Sequence, residues 1–262
     1  VGITLQKRNT QSRRRSIVEL VNSTQEVSVE QLTERFQTSE VTIRKDLNAL
    51  EQNGLLLRKY GGAVALPSES SELASSKVSK RKQAIAQKAA TLIKDHNRII
   101  IDSGSTTSAV LSHCRQVRGL VVMSNSMEVA NHILEMENEP TLIMTGGTWD
   151  NQSHSFQGQQ AESMLRGYNF DQAFLGASGL DVERGTTTFN ELTNLSRVMA
   201  EVSQQVIILA ESEKLNRKIP NLELSWQHID VLITDADISD VHKQKIEAQN
   251  VVVHTIAKSE YE

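Results

Sequence analysis

Cysteine is nearly absent: Cys114 is the only one in 262 residues. A single thiol excludes a disulfide framework and any multi-cysteine zinc site within one chain, and a reducing compartment is the expected setting. Long hydrophobic runs are missing too. The longest, such as residues 206–210 (VIILA), have the length of a strand, far short of the roughly 20 apolar residues that span a bilayer. The polar, basic beginning of the sequence has no signal-peptide character. A cytoplasmic protein with no membrane partner is therefore expected. There is no excess of positive charge: 28 Lys+Arg stand against 32 Asp+Glu, a net charge of −4, which argues against an indiscriminate coat for nucleic acid. Catalytic and cofactor signatures are equally scarce. Neither G-x-x-x-x-G-K-[ST] nor G-x-G-x-x-G occurs, no G-x-S-x-G elbow is present, and the seven histidines form no H-E-x-x-H and no Cys/His cluster. Neither a metal nor a cofactor is expected.

What is present is unevenly distributed. Hydrophobic residues make up 38% and charged residues 23%, enough apolar surface for a buried core. Residues 1–60 carry ten Lys+Arg against seven Asp+Glu, while the remainder carries 18 against 25. A basic head on an acidic body confines any polyanion contact to the head. Three zones follow: a compact, helix-rich head over residues 10–66; a Ser/Glu-rich linker over 67–79 (PSESSELASSKVS); and an alternating α/β segment over 80–262.

In the head, the pattern predicts three helices. Ile17, Leu20 and Val21 share a face of the first. Ser28-Val29-Glu30-Gln31 has the S-x-x-Q form of a capping box and opens the second, which runs through Phe36. After the polar break Gln37-Thr38-Ser39, a third helix is predicted over 40–52, with Ile43, Leu47 and Leu50 on its buried face. Ser39, Thr42, Arg44 and Lys45 fall at its beginning, largely off that face. Hydroxyl and guanidinium groups so placed suit base edges and phosphates in a major groove. Gly54 is a plausible helix stop, and Gly61-Gly62 between two short apolar runs predicts a hairpin turn. That hairpin is a wing carrying Arg58 and Lys59 toward a phosphate backbone. Helix periodicity alone fits an ordinary three-helix scaffold or a protein-contact module equally well. The wing and the basic charge favour nucleic acid.

In the body, seven short, nearly continuous apolar runs at 99–101, 120–123, 142–144, 173–175, 206–209, 231–233 and 251–253 predict strands buried on both faces of a largely parallel sheet. The first runs into Asp102, Ser103, Gly104, Ser105, Thr106 and Thr107 and then a helical stretch. A strand, a small hydroxyl-rich loop and a helix start can bind phosphate through backbone amides and hydroxyls. Ser124-Asn125-Ser126 and Thr145-Gly146-Gly147 follow two other strands, and ligands of open α/β sheets bind at such carboxyl ends. Taken alone, Gly146 and Gly147 read as a turn. Glu191 and Lys214 are candidate polar partners for a sugar. Trp149 and Trp226 read as packing residues.

Residues 28–36, then S-E-V-T-I-R-K-D-L at 39–47, then R-K-Y-G-G-A at 58–63, resemble the DeoR family of bacterial repressors. In the body, D-S-G-S-T-T at 102–107, T-G-G at 145–147, Asn190-Glu191 and Ser212 with Lys214 are similar to that family's sensor domain. The resemblance implies an N-terminal winged helix-turn-helix and a C-terminal α/β, Rossmann-like sensor domain, related in fold to ribose-5-phosphate isomerase, glucosamine-6-phosphate deaminase and CoA transferases. It further implies operator double-stranded DNA and a phosphorylated sugar or sugar alcohol as partners. The loop from Asp102 would hold the phosphate, and Glu191 and Lys214 would line the sugar end. Residues 124–126 and 187–191 look most like repressors of hexitol and amino-sugar utilisation. One departure stands out: Glu211-Ser212-Glu213-Lys214 replaces the family's D-S-S-K. A dimer or tetramer is expected, since helix-turn-helix repressors bind paired half-sites. The body alone also permits a sugar-phosphate isomerase or deaminase using Asp102, Glu191 and Lys214 for acid–base chemistry, but such an enzyme has no need of the head.

Overall fold

The computed structural model describes residues 10, 13–14, 16–18, 20–52, 55–65, 78–150, 153–188, 194–217, 219 and 221–261. Most of the predicted linker, and Gly54 and Glu191, lie outside them. The chain divides into two units, a head of residues 1–68 with 218–220 and a body of 69–217 with 221–262.

In the head, helix Val29–Phe36 begins at the capping box. Ser28 Oγ accepts from the Gln31 N–H, and the Gln31 side chain accepts from the Ser28 N–H. Two of the helix's first amide donors are thereby matched. Gln37 ends the helix in the left-handed conformation, with φ 46°, and helix Glu40–Gln52 follows. Ile43, Leu47 and Leu50 are buried in one cluster with Ile17, Val21, Val29 and Leu32, each side chain contributing about 1.5–3 kcal/mol of hydrophobic stabilisation. Three strands complete the head: β1 (Glu26–Ser28), β2 (Leu57–Lys59) and β3 (Gly62–Val64), antiparallel with β3 in the middle.

One sequence expectation for the head needs correction. Gly61 and Gly62 do not share the turn. Gly61 alone takes a positive φ, 78°. Gly62 lies in β3, where a Cβ would stand 2.2 Å from the Val27 carbonyl oxygen, so its small size serves strand approach. Arg13 Nε and Arg14 Nε each lie 2.7 Å from the carboxylate of Asp46, which is 2% exposed.

The body contains β4 (Arg98–Ile101), β5 (Val121–Ser124), β6 (Thr141–Met144), β7 (Thr148–Asp150), β8 (Ser155–Gln157), β9 (Phe170–Leu175), β10 (Gly179–Asp181), β11 (Gly185–Thr188), β12 (Ser203–Leu209), β13 (Asn221–Ser225), β14 (Val231–Asp235) and β15 (Val252–Ile256). All seven apolar runs fall in one parallel sheet, ordered β15-β14-β12-β9-β4-β5-β6. Alternate residues supply opposite faces. Ile100, Met123, Leu175 and Ile208 enter one apolar cluster, and Ile99, Ile101, Val122, Phe174 and Ile207 another. Burial on both faces removes the polar alternation a half-exposed strand would show. From β4 the sheet grows outward through β5 and β6, and from β9 it grows the other way through β12, β14 and β15. Its order therefore reverses between β4 and β9.

Two small antiparallel units stand beside the main sheet in the chain: the β7–β8 hairpin and a β10-β11-β13 sheet. Trp226 is fully buried and donates its indole N–H to the carbonyls of Asp181 and Val182, as its reading for packing requires. Among the described residues no helix is long and apolar enough to cross a membrane.

Candidate functional site

The head presents its polar candidates outward. Ser39 caps helix Glu40–Gln52: its Oγ accepts from the Thr42 N–H at 3.3 Å and lies 2.9 Å from Thr42 Oγ1. Arg44 and Lys45 are exposed, and Arg44 reaches Glu40 one turn back at 3.2 Å. An exposed i,i+4 pair of this kind contributes about 0.3–0.5 kcal/mol, so the guanidinium is readily exchanged to another acceptor. Arg58 and Lys59 are exposed on β2, and Lys59 is ion-paired with Glu26 on β1 of the same sheet. Two exposed residues were missed in the sequence. Val41, 62% exposed, presents an apolar side chain beside Thr42; Tyr60, fully exposed, occupies the wing turn. Val41 was detectable as an apolar residue outside the 43, 47, 50 stripe.

The body turns its candidates inward. Asp102 follows β4, and Gly176 follows β9, the two strands between which the sheet order reverses. The Asp102 carboxylate joins them. It accepts from the Gly176 N–H at 2.6 Å, from the Gly104 N–H at 2.9 Å and from the Thr107 hydroxyl. Burial pushes the Asp102 carboxyl upward from its ordinary value, opposed by these three bonds and by the charge of Lys214. Asp102 thus holds the loop in shape. Thr107 is turned inward to Asp102 and to the Gly104 carbonyl. Ser105, Thr106 and Thr107 are all buried.

A pocket opens beside this clasp. Its lining combines Asp102, Ser103 and Asn125 from the sequence expectation with Gly176, Ser153, Gln157, Thr188, Ser196 and Glu223. The other expected residues are placed differently. Gly146 and Gly147 both take positive φ, 62° and 112°, and a Cβ on Gly147 would stand 2.5 Å from the Gln157 carbonyl oxygen. They make the link from β6 into β7, where Gly147 lets the β8 backbone close in, and neither lines the pocket. Lys214 is buried rather than on the surface, its ammonium donating to the Ala177 carbonyl at 2.7 Å. Of the two carboxylates in the departing E-S-E-K segment, Glu213 pairs with Arg217 and Glu211 accepts from Ser79 at 3.4 Å.

Lys82 was also missed. It is 8% exposed, and its ammonium donates to Ser105 Oγ at 3.1 Å. This puts a positive charge inside the loop that the sequence reading chose for an anion. Cys114 is buried and its thiol is pushed up to about 12 by burial, so it is inert near neutral pH. Among the described residues no group of His, Cys, Asp and Glu could hold a metal ion.

Comparison with known proteins decides the family. The model of the DeoR-like helix-turn-helix domain matches residues 13–69, and that of the DeoR C-terminal sensor domain matches 77–236. The chain belongs to the DeoR family. It is 38% identical over 236 residues to the putative aga operon transcriptional repressor of Escherichia coli O157:H7, covering 87% of each chain. It is 35% identical to the HTH-type transcriptional regulator GlpR of Haloferax volcanii, over 92% of this chain and 96% of that one. The glycerol-3-phosphate regulon repressor of Escherichia coli K12 is 31% identical over 86% and 90%.

Solved structures match at low similarity. Ribose 5-phosphate isomerase A of Methanocaldococcus jannaschii is 17% identical with a TM-score of 0.37, over 51% of this chain and 52% of that one. The eIF2B beta subunit of Chaetomium thermophilum is 14% identical with a TM-score of 0.43, over 86% and 65%. The full-length relatives are transcriptional regulators. This DeoR-family member is a DNA-binding transcription regulator, and the isomerase or deaminase alternative is set aside.

Proposed function

We propose that this regulator represses an operon for the use of a sugar or sugar alcohol and is released or engaged by a phosphorylated intermediate of that pathway. The head, residues 10–66, binds operator double-stranded DNA. Thr42, Arg44 and Lys45 face the major groove, Ser39 fixes the start of their helix, and Arg58 and Lys59 hold phosphates. The sensor domain, residues 80–262, binds the effector beside Asp102, Ser103 and Asn125. The loop through Gly104, Ser105, Thr106 and Thr107 supplies amides toward the phosphate, with Lys82 as counter-charge. Glu191, outside the described residues, and Lys214 remain candidates for the sugar end; Gly146 and Gly147 act by shaping the link from β6 into β7. The regulator works in the cytoplasm as a dimer or tetramer, matching paired half-sites.

One observation carries the reading. Asp102 ties the ends of β4 and β9 together at the reversal of the sheet, the place where open α/β sheets bind ligands, and a polar pocket adjoins it. Relatives named as repressors of an aga operon and of a glycerol-3-phosphate regulon support the sugar context.

The test is a gel shift on DNA upstream of the regulator's neighbouring genes, with glucose 6-phosphate, glucosamine 6-phosphate, glucitol 6-phosphate and glycerol 3-phosphate added singly. A specific complex altered by one of them, with that compound recovered unchanged, is the expected result. A complex indifferent to all of them contradicts the proposed effector class.

A further inference from the structure

Resting on the reading of this pocket as the effector site, we infer that Asn125 and Glu223 form a wall that reads hydroxyl donors on the effector's carbon chain. The ligand class is then a phosphorylated sugar or polyol with free hydroxyl groups at the end away from its phosphate. Asn125 supplies the first observation. It is 3% exposed and lines the pocket. Its Nδ2 donates to the Phe156 carbonyl at 3.3 Å. That bond fixes which way the amide points, because the flipped amide would set oxygen against oxygen. Among the described residues the Oδ1 is left as a buried acceptor with no partner, a condition folded proteins rarely leave uncompensated.

Glu223 supplies the second. It comes from β13, far in sequence from Asn125, and its carboxylate is held in the wall by Ser196 Oγ at 2.6 Å and Thr186 Oγ1 at 3.4 Å. A carboxylate accepts at about four lone-pair positions and donates at none.

The charges lining the pocket set the ligand's direction. Among the described residues the lining holds two carboxylates, Asp102 and Glu223, and neither lysine nor arginine. The Asp102 carboxylate is already taken up by Gly104, Thr107 and Gly176, whereas Glu223 puts a carboxylate on the wall beside Asn125, which repels an anion and attracts donors. The phosphate therefore points to the loop side, where Lys82 stands on Ser105, and the hydroxyl-bearing carbons face Asn125 and Glu223. Sites built to hydrogen-bond a substrate hydroxyl reject analogues lacking it, because the site's own groups are left unmatched.

Calorimetry on the full chain tests this with glucose 6-phosphate, glucitol 6-phosphate, their monodeoxy analogues and inorganic phosphate. The parent should bind at least one intact sugar phosphate and lose about tenfold in affinity when the hydroxyl facing the wall is removed. Glu223→Gln and Asn125→Leu should each bind that intact probe about tenfold more weakly and no longer distinguish it from the deoxy analogue. Inorganic phosphate and operator DNA should bind both variants as they bind the parent. Variants that bind the intact probe like the parent, or that still discriminate against the deoxy analogue, overturn the inference and leave the effector site standing. A parent that binds none of the sugar phosphates overturns the effector reading itself, and this inference with it. Thermal unfolding of each variant checks folding, and Glu223→Gln, which keeps the side chain's shape, carries the test if Asn125→Leu is unstable.

Discussion

The head keeps its polar candidates outside and an apolar core within; the body keeps its own polar candidates inside. Arg44, Lys45, Arg58 and Lys59 are exposed, while Ser103, Ser105, Thr106, Asn125, Lys82 and Lys214 are all buried. The difference follows from the partners. A duplex is a large polyanion met at a surface, where long cationic side chains gain by releasing counterions. A small phosphorylated ligand must be lifted out of water, so its partners have to be fixed and desolvated beforehand. Substitutions at the head's candidates should therefore change binding without stability, and those in the body should change both.

The largest expected effect would come from the head's one described exception to that rule. Asp46 is a buried carboxylate clasped by Arg13 and Arg14. Asp46→Ala strands two guanidinium groups and should cost the head about 3 kcal/mol, seen as a lower urea midpoint with operator binding lost in proportion. An unchanged midpoint would mean that these arginines are solvated after all. Next comes Asp102→Ala, which removes the common acceptor of Gly104, Thr107 and Gly176. About 2 kcal/mol of body stability should go with it, together with the effector response. Retained response at full stability would break the link between polar networks and function in the body.

Arg44→Ala sharpens the comparison from the other side. Specific operator affinity should fall by about 1–3 kcal/mol, with no shift in the urea midpoint beyond the weak Glu40 pair. A stability loss as large as the binding loss would show that the residue is structural. The smallest effect is expected at the wing. Arg58→Ala should weaken specific and non-specific duplexes alike and flatten the salt dependence by roughly one unit. Lys59→Ala should do less, because its ammonium already has a partner in Glu26. A change of sequence preference with an unchanged salt slope would instead make the wing a base reader.

What could be read from the sequence was what rests on local pattern. The capping box at Ser28, the 43, 47, 50 stripe and all seven sheet strands lie in contiguous stretches whose periodicity or continuous apolarity is visible directly. The loop from Asp102 was legible as a strand end rich in small and hydroxyl-bearing residues. What escaped depends on pairs distant in the chain. Asp46 meets Arg13 across 33 positions, Lys82 meets Ser105 across 23, and Glu223 meets Ser196 across 27. No spacing rule links such residues before the fold does. Gly62 and Gly147 have a role of the same kind: another strand's carbonyl approaches each, and a sequence shows the glycine without the neighbour.

On this reading, a pocket at the β4–β9 reversal controls a head that binds DNA on its own terms. Fluorescence anisotropy of an operator duplex, titrated with the parent protein and with Ser103→Glu, tests it most directly when both are repeated in the presence of the active sugar phosphate. Ser103 lines the pocket and is buried, so a carboxylate there should exclude the ligand by volume and like charge. The account predicts equal duplex affinity without effector and a shift on adding it in the parent alone. A Ser103→Glu protein that answers the effector as the parent does would contradict it.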